Sequence, residues 1–162
     1  MKKSFLIFLL ITSFTALAET SDPSEVTEIS LERTRCFGTC PVYKLTVLSD
    51  GTVTYDGKEY VKEIGRRSGT ISKKQFQELA SKAKEIKFFS LKNEYLTKEA
   101  SDGSIVTVTD LPTRIITVKT RKDSKTIRNY YGGPDHLKTL ELMIDKTCNS
   151  EIWVKGSNQS LQ

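Results

Sequence analysis

Polar and apolar residues alternate along the first half of the chain, then change to helical spacing. Ile29, Leu31 and Arg33 fall on one side of an extended segment, and Glu28, Ser30 and Glu32 on the other. That two-residue period describes a strand with one half-buried face. Tyr43, Leu45 and Val47 repeat it, Asp50-Gly51 offers a residue that tolerates positive φ, and Val53 and Tyr55 resume the alternation beyond it. A second Asp-Gly, Asp56-Gly57, leads toward Tyr60 to Ile64. The pattern predicts an antiparallel meander with a tight turn at each Asp-Gly.

At Ser72 the period lengthens. Ser72 can cap a helix, Gln75 can reach back to it, and Ile71 and Phe76 stand where a hydrophobic staple needs them. Phe76, Leu79, Ala80, Ala83 and Ile86 then recur at helical spacing among lysines, and Phe88, Phe89 and Leu91 turn back toward the core. Residues 92–112 carry a weaker signal. Ile105, Val106 and Val108 suggest a short strand between the loop punctuation of Asp102-Gly103 and Asp110-Leu111-Pro112. Ile115, Ile116 and Val118 predict a strand, and Lys122-Asp123-Ser124-Lys125 turns the chain into another at Ile127 to Tyr131. Gly132-Gly133-Pro134 ends the sheet and opens a second helix, whose stripe is Leu137, Leu140, Met143, Ile144 and Cys148. The fold class expected is α+β: an antiparallel sheet of about five to seven strands with two helices packed on one face.

Residues 1–18 read as an export signal: Lys2 and Lys3, an apolar run from Phe5 to Leu17, and Ala16-Leu17-Ala18 as the cleavage pattern. The expected order is a signal at 1–18, a flexible leader at 19–27, one domain at 28–154 and a disordered tail at 155–162. Cleavage between Ala18 and Glu19 would release a periplasmic or secreted protein. The apolar run is interrupted by Thr12, Ser13 and Thr15 and falls short of the roughly 18–20 residues a membrane anchor needs, so no integral membrane protein is expected. The whole chain carries a net +5. Without Lys2 and Lys3 this falls to +3, too little to imply nucleic acid. With 37% apolar residues, seven Phe and six Tyr, the chain can build a packed core.

Candidate chemistry is sparse. Three cysteines, Cys36, Cys40 and Cys148, would meet an oxidising compartment. Extended backbone would separate Cys36 and Cys40 by about 13 Å, whereas a disulfide tolerates roughly 4.4–6.8 Å. Gly38 midway and Pro41 just after supply the turn that such a bridge requires. The turn chemistry therefore favours Cys36–Cys40 over a long closure from Cys36 to Cys148. A thiol-exchange role for the pair is the catalytic alternative, weakened by a strand in place of a following helix. Cys148 sits on an apolar helical stripe, as a small buried hydrophobe does. His136 begins a helix without a nucleophile motif, and the cysteines do not hold zinc-ligand spacing with it, so neither cofactor nor metal is expected. Asp110, in the loop Thr109-Asp110-Leu111-Pro112-Thr113, and the hairpin cations Arg121 and Arg128 are the candidate ligand-binding residues. Such cations would meet an anionic envelope polymer or lipid head groups.

Arg33-x-x-Cys36-x-Gly38-x-Cys40-Pro41-x-Tyr43, followed by Asp50-Gly51-x-Val53-x-Tyr55-x-Gly57, resembles domain-of-unknown-function family 6438. Phe88-Phe89-x-Leu91, Tyr95, residues 109–113, Tyr131-Gly132-Gly133-Pro134, Ile144-Asp145 and Trp153 fit the later parts of that pattern, so the resemblance covers about residues 28–154. It implies small, mostly bacterial, exported or lipid-anchored proteins and no transferable activity. Cys148 and the length of chain between Tyr95 and Asp110 depart from the pattern. The expectation is a non-catalytic binding or structural module stabilised by a disulfide, whose partner is another envelope protein or an anionic envelope component. The alternatives are a thiol-redox protein or enzyme using Cys36 and Cys40, and a binder of anionic polymer or lipid head groups.

Overall fold

The sheet is seven strands wide and is crossed by a chain that returns twice. The computed structural model describes residue 22 and residues 24–155. The expected export signal, most of the leader and the tail beyond Lys155 lie outside the described residues. In order come β1 (Val26–Arg33), β2 (Val42–Leu48), β3 (Thr52–Glu59), β4 (Gly65–Thr70) and helix α1 (Lys73–Glu85). A single 3₁₀ turn at Phe88–Ser90 leads to β5 (Glu94–Tyr95), β6 (Lys98–Glu99) and β7 (Ile105–Val106). β8 (Arg114–Thr120), β9 (Ser124–Asn129), α2 (Asp135–Thr147) and α3 (Glu151–Val154) complete the domain. The sheet order is β4-β3-β2-β1-β8-β9-β5, with β6 and β7 as a separate small ribbon. Every neighbour is antiparallel except β5, which runs parallel to β9. This is the α+β fold the sequence predicts.

Alternation places the apolar residues of the strands on one face. Val53, Val47, Ile29 and Val118 form one row across the sheet, and Tyr55, Leu45, Leu31, Ile116 and Ile127 the next. All nine are buried, and they share one core with Phe76, Leu79 and Ala83 of α1 and Leu137, Leu140 and Ile144 of α2. The helices therefore lie on the same face. The opposite face is polar, with Ser68, Thr54, Thr46, Ser30, Thr117 and Thr126 in register across six strands. An antiparallel sheet tolerates one solvated face because its ladders satisfy the backbone without cover.

Local signals place α1 correctly. Ser72 Oγ accepts from the Gln75 amide while the Gln75 side chain accepts from the Ser72 amide, closing the predicted capping box. The second tight turn is a correction. Asp56-Gly57 lies inside β3, and the chain reverses instead at residues 60–64, with Tyr60 at φ 53°. Packing overrides the turn propensity there. A Cβ on Gly57 would stand 2.1 Å from Glu63 O and 2.7 Å from Tyr55 Oη, so only glycine lets the turn fold against the strand. Strand β1 starts at Val26, which is buried. Of the aromatic pair expected to turn inward, Phe88 is buried and Phe89 stays exposed.

Replacing Gly57 with Ala should destabilise the fold by about 1–3 kcal/mol through overpacking. Urea melts of wild type and variant check this, and unchanged stability would show that the 60–64 turn does not pack on β3.

Candidate functional site

Beyond the two apolar rows, the inward face turns polar. The third row reads Gly57, Tyr43, Arg33, Arg114, Asn129 and Tyr95 across β3, β2, β1, β8, β9 and β5. Strand alternation brings Arg33 to the buried side two residues after Leu31, so its cation sits where a fourth core residue would. Helix α2 meets this row with Glu141 and Asp145, one turn apart and therefore on the same face.

Asp145 is the hub of one half. Its Oδ2 accepts from Arg33 Nε at 3.0 Å and Nη2 at 2.5 Å, and its Oδ1 accepts from Tyr43 Oη at 2.7 Å and Ser150 Oγ at 2.9 Å. Four donors occupy the lone pairs of one carboxylate. Burial works against the Arg33 charge, but the Asp145 carboxylate outweighs it and holds the guanidinium above its usual range. Burial, reinforced by Asp145, raises the Tyr43 phenol.

Glu141 centres the other half. It is 3% exposed, accepts from Asn129 Nδ2 at 2.5 Å and lies 3.1 Å from Arg114 Nε. Arg114 Nη2 also donates to Tyr130 O at 3.1 Å. Burial pushes the Glu141 carboxyl up, against the opposing pull of Asn129 and Arg114. Asn129 Oδ1, also buried, has no donor among the described residues.

The disulfide flanks the Asp145 half. Cys36 and Cys40 are bonded, with their Cα atoms 5.8 Å apart, and they close the loop between β1 and β2. The Arg35 guanidinium pairs with Glu59 of β3 and ties the start of that loop to the sheet. Phe37, at the tip, is 89% exposed. Beside the loop a cleft of about 510 Å³ opens, walled by Pro41, Leu142 and Val154 and floored by Tyr43, Asp145 and Ser150. Leu142 is 65% exposed on the outer side of α2. Below the cleft Tyr55 stacks on Trp153 at 5.0 Å and meets Tyr43 at 5.6 Å. Helix α3 carries Trp153, and its Trp153 and Val154 carbonyls accept from Glu63 and Lys62.

The sequence-predicted ligand residues are scattered. Asp110 is exposed at φ 72°, with Thr109 Oγ1 donating to its carboxylate at 3.3 Å. Arg121 pairs with Glu25 at 2.9 Å, and Arg128 with Glu94 at 3.3 Å. Lys119 pairs with Glu28 at 2.9 Å, and Lys125 donates to the Phe89 and Leu91 carbonyls. The hairpin cations thus turn to separate local acceptors and do not converge. Glu141 escapes sequence reasoning altogether. Its signal is a carboxylate inside the apolar arc of α2, between Leu137 and Ile144. Cys148 is buried, and burial, with help from Asp145, pushes its thiol up to about 12. Among the described residues, no helix is long and apolar enough to cross a membrane.

A family model described as Domain of unknown function (DUF6438) matches residues 27–148 of this chain. Among curated proteins nothing matches it.

Truncating Asp145 to Ala leaves the half-buried Arg33 without its counter-charge and Tyr43 and Ser150 without their acceptor, and should cost about 3 kcal/mol, measured by chemical unfolding. A loss below 1 kcal/mol would contradict the hub. Thiol counting with a chromogenic disulfide reagent should find none reactive in the native protein and one, Cys148, in denaturant without reductant. The buried thiol holds its proton more tightly when folded than the usual value near 9 allows when unfolded. Stability should therefore fall as pH rises from about 9 toward 12, as the unfolded state releases its proton first. Cys148→Ala should flatten that slope.

Proposed function

The chain belongs to the family described as Domain of unknown function (DUF6438), a description that names no activity, and on the geometry we propose a non-catalytic binding module of the cell envelope. It engages another envelope protein through the disulfide-closed loop. The observation that carries this is Phe37, a large aromatic side chain 89% exposed on a covalently closed five-residue loop. Aromatic anchors dominate binding energy at protein interfaces, and a short closed loop presents one with little ordering left to do on binding. Leu142 and Pro41 wall the cleft beside the loop, which can accept a partner side chain.

A binding role is also supported by how the polar row is used. The Asp145 and Glu141 carboxylates face cations and amide or hydroxyl donors within the protein, which suits a scaffold better than a proton-transfer centre. The thiol-exchange alternative draws no support from the segment after Cys40, because strand β2 stands there and not a helix whose amino end would favour a thiolate. Export, and release after cleavage at Ala18/Glu19, are part of this reading. Lys2-Lys3, the apolar run and Ala16-Leu17-Ala18 support them, as does a disulfide, which persists in oxidising compartments.

Phe37→Ala should leave thermal stability unchanged and weaken partner capture from an envelope extract at least tenfold. Reduction of Cys36–Cys40 should weaken capture too and lower stability by about 2 kcal/mol, the loop-closure contribution of so short a ring. A partner retained equally by wild type and Phe37→Ala would overturn the proposal.

A further inference from the structure

The opposite end of the polar row opens into a second, chemically different cleft. It has a volume of about 370 Å³, and its wall includes Lys98 of β6, Arg114 of β8, Lys138 of α2 and the Gly132-Gly133 loop. We propose that this cleft binds a phosphate-type oxyanion, as free phosphate or as the head of a phosphate monoester.

Three cations reach it from three separate elements, and they differ in how committed they are. Lys98 has no ion-pair partner among the described residues. Arg114 is held in place by Glu141 and Tyr130 O, so its guanidinium is aimed before any ligand arrives. Among the described residues Lys138 pairs only with Asp135, at 3.1 Å, whose side chain is 98% exposed. Among the described residues Asp135 is the one opposing charge on the wall, and in that exposed position water screens it strongly.

The glycine loop adds donors. A Cβ on Gly132 would lie 2.1 Å from Thr97 O, and one on Gly133 would lie 2.3 Å from Asn129 Oδ1, so no side chain can stand between this backbone and its neighbours. Among the described residues the Gly132 and Gly133 amides have no acceptor, although Gly133 is buried. The Gly132-Gly133 backbone thus brings amides without an acceptor among the described residues to the wall of a cationic cleft, where an oxyanion can accept from them. Phosphate presents its oxygens in a tetrahedral array, where a carboxylate presents two in one plane, so it can meet cations and amides that approach from several directions. Tyr130 and Tyr131 line the same cleft and give an ester's organic portion a surface to lie on.

The test is titration of the full domain with inorganic phosphate at fixed ionic strength, followed by amide NMR, with glycerol phosphate and acetate in parallel. Phosphate should shift the Gly132 and Gly133 amide resonances with a millimolar dissociation constant. A clearly tighter glycerol phosphate arm would identify the ester as the ligand, and equal affinity would identify free phosphate. Lys98→Gln/Lys138→Gln should weaken binding about tenfold with the melting temperature unchanged, and Arg121→Gln/Arg128→Gln should leave it as in wild type. Equal shifts with acetate, no shift, or equal weakening in the two double variants would overturn the proposal.

Discussion

The pairing of two carboxylates on α2 with two arginines on adjacent strands is the constraint on which the rest of this structure depends. Arg33 and Arg114 are register partners in β1 and β8, and Glu141 and Asp145 are one helical turn apart. Placed over each other, the four charges cancel. Apolar packing alone would allow α2 to slide along the sheet, because Leu137, Leu140 and Ile144 meet a greasy surface with little directional preference. Two charge-assisted contacts at different heights remove that freedom, since a shift by one turn would leave an arginine and a carboxylate buried alone. Burial raises the Glu141 carboxyl despite its partners, so the gain from this half is in register more than in net stability.

A rigid base gives the disulfide its meaning. A bridge over four positions in sequence contributes less to global stability than a long closure would, about 2 kcal/mol on the chain-entropy view, and neither of its cysteines belongs to the core of two apolar rows and two helices. What the bridge does is local. Together with the Arg35–Glu59 pair it fixes the β1–β2 loop to both neighbouring strands, and Phe37 is held out from a surface that cannot collapse around it.

Much of this was legible because its causes are local. The capping box of α1, the alternation of β1 and β2 and the Cys36–Cys40 turn each depend on residues within a few positions of each other. That Arg33 shares a side with Ile29 and Leu31 was legible from alternation alone, although its partner, 112 positions away, was not. The second Asp-Gly misled because Gly57 answers to the Tyr55 hydroxyl and the Glu63 carbonyl, not to its own dipeptide. β5 was invisible, because two residues carry no period. The hairpin cations looked like a patch because Glu25 and Glu94, which neutralise Arg121 and Arg128, come from remote segments. Pairing at long range is the information that a one-dimensional charge count lacks.

The two ends of α2 share more than a helix. Asp145 fastens its C-terminal half beside the disulfide loop, and Glu141 fastens its middle to Arg114, whose guanidinium also lines the glycine cleft. An anion in that cleft draws on the same guanidinium that neutralises Glu141, so occupancy there and the charge state of Glu141 are linked through one side chain. Asp145 stands one step further away: its arginine, Arg33, lines the other cleft and its remaining lone pairs are filled by Tyr43 and Ser150, although Arg33 also acts on Glu141 through its charge.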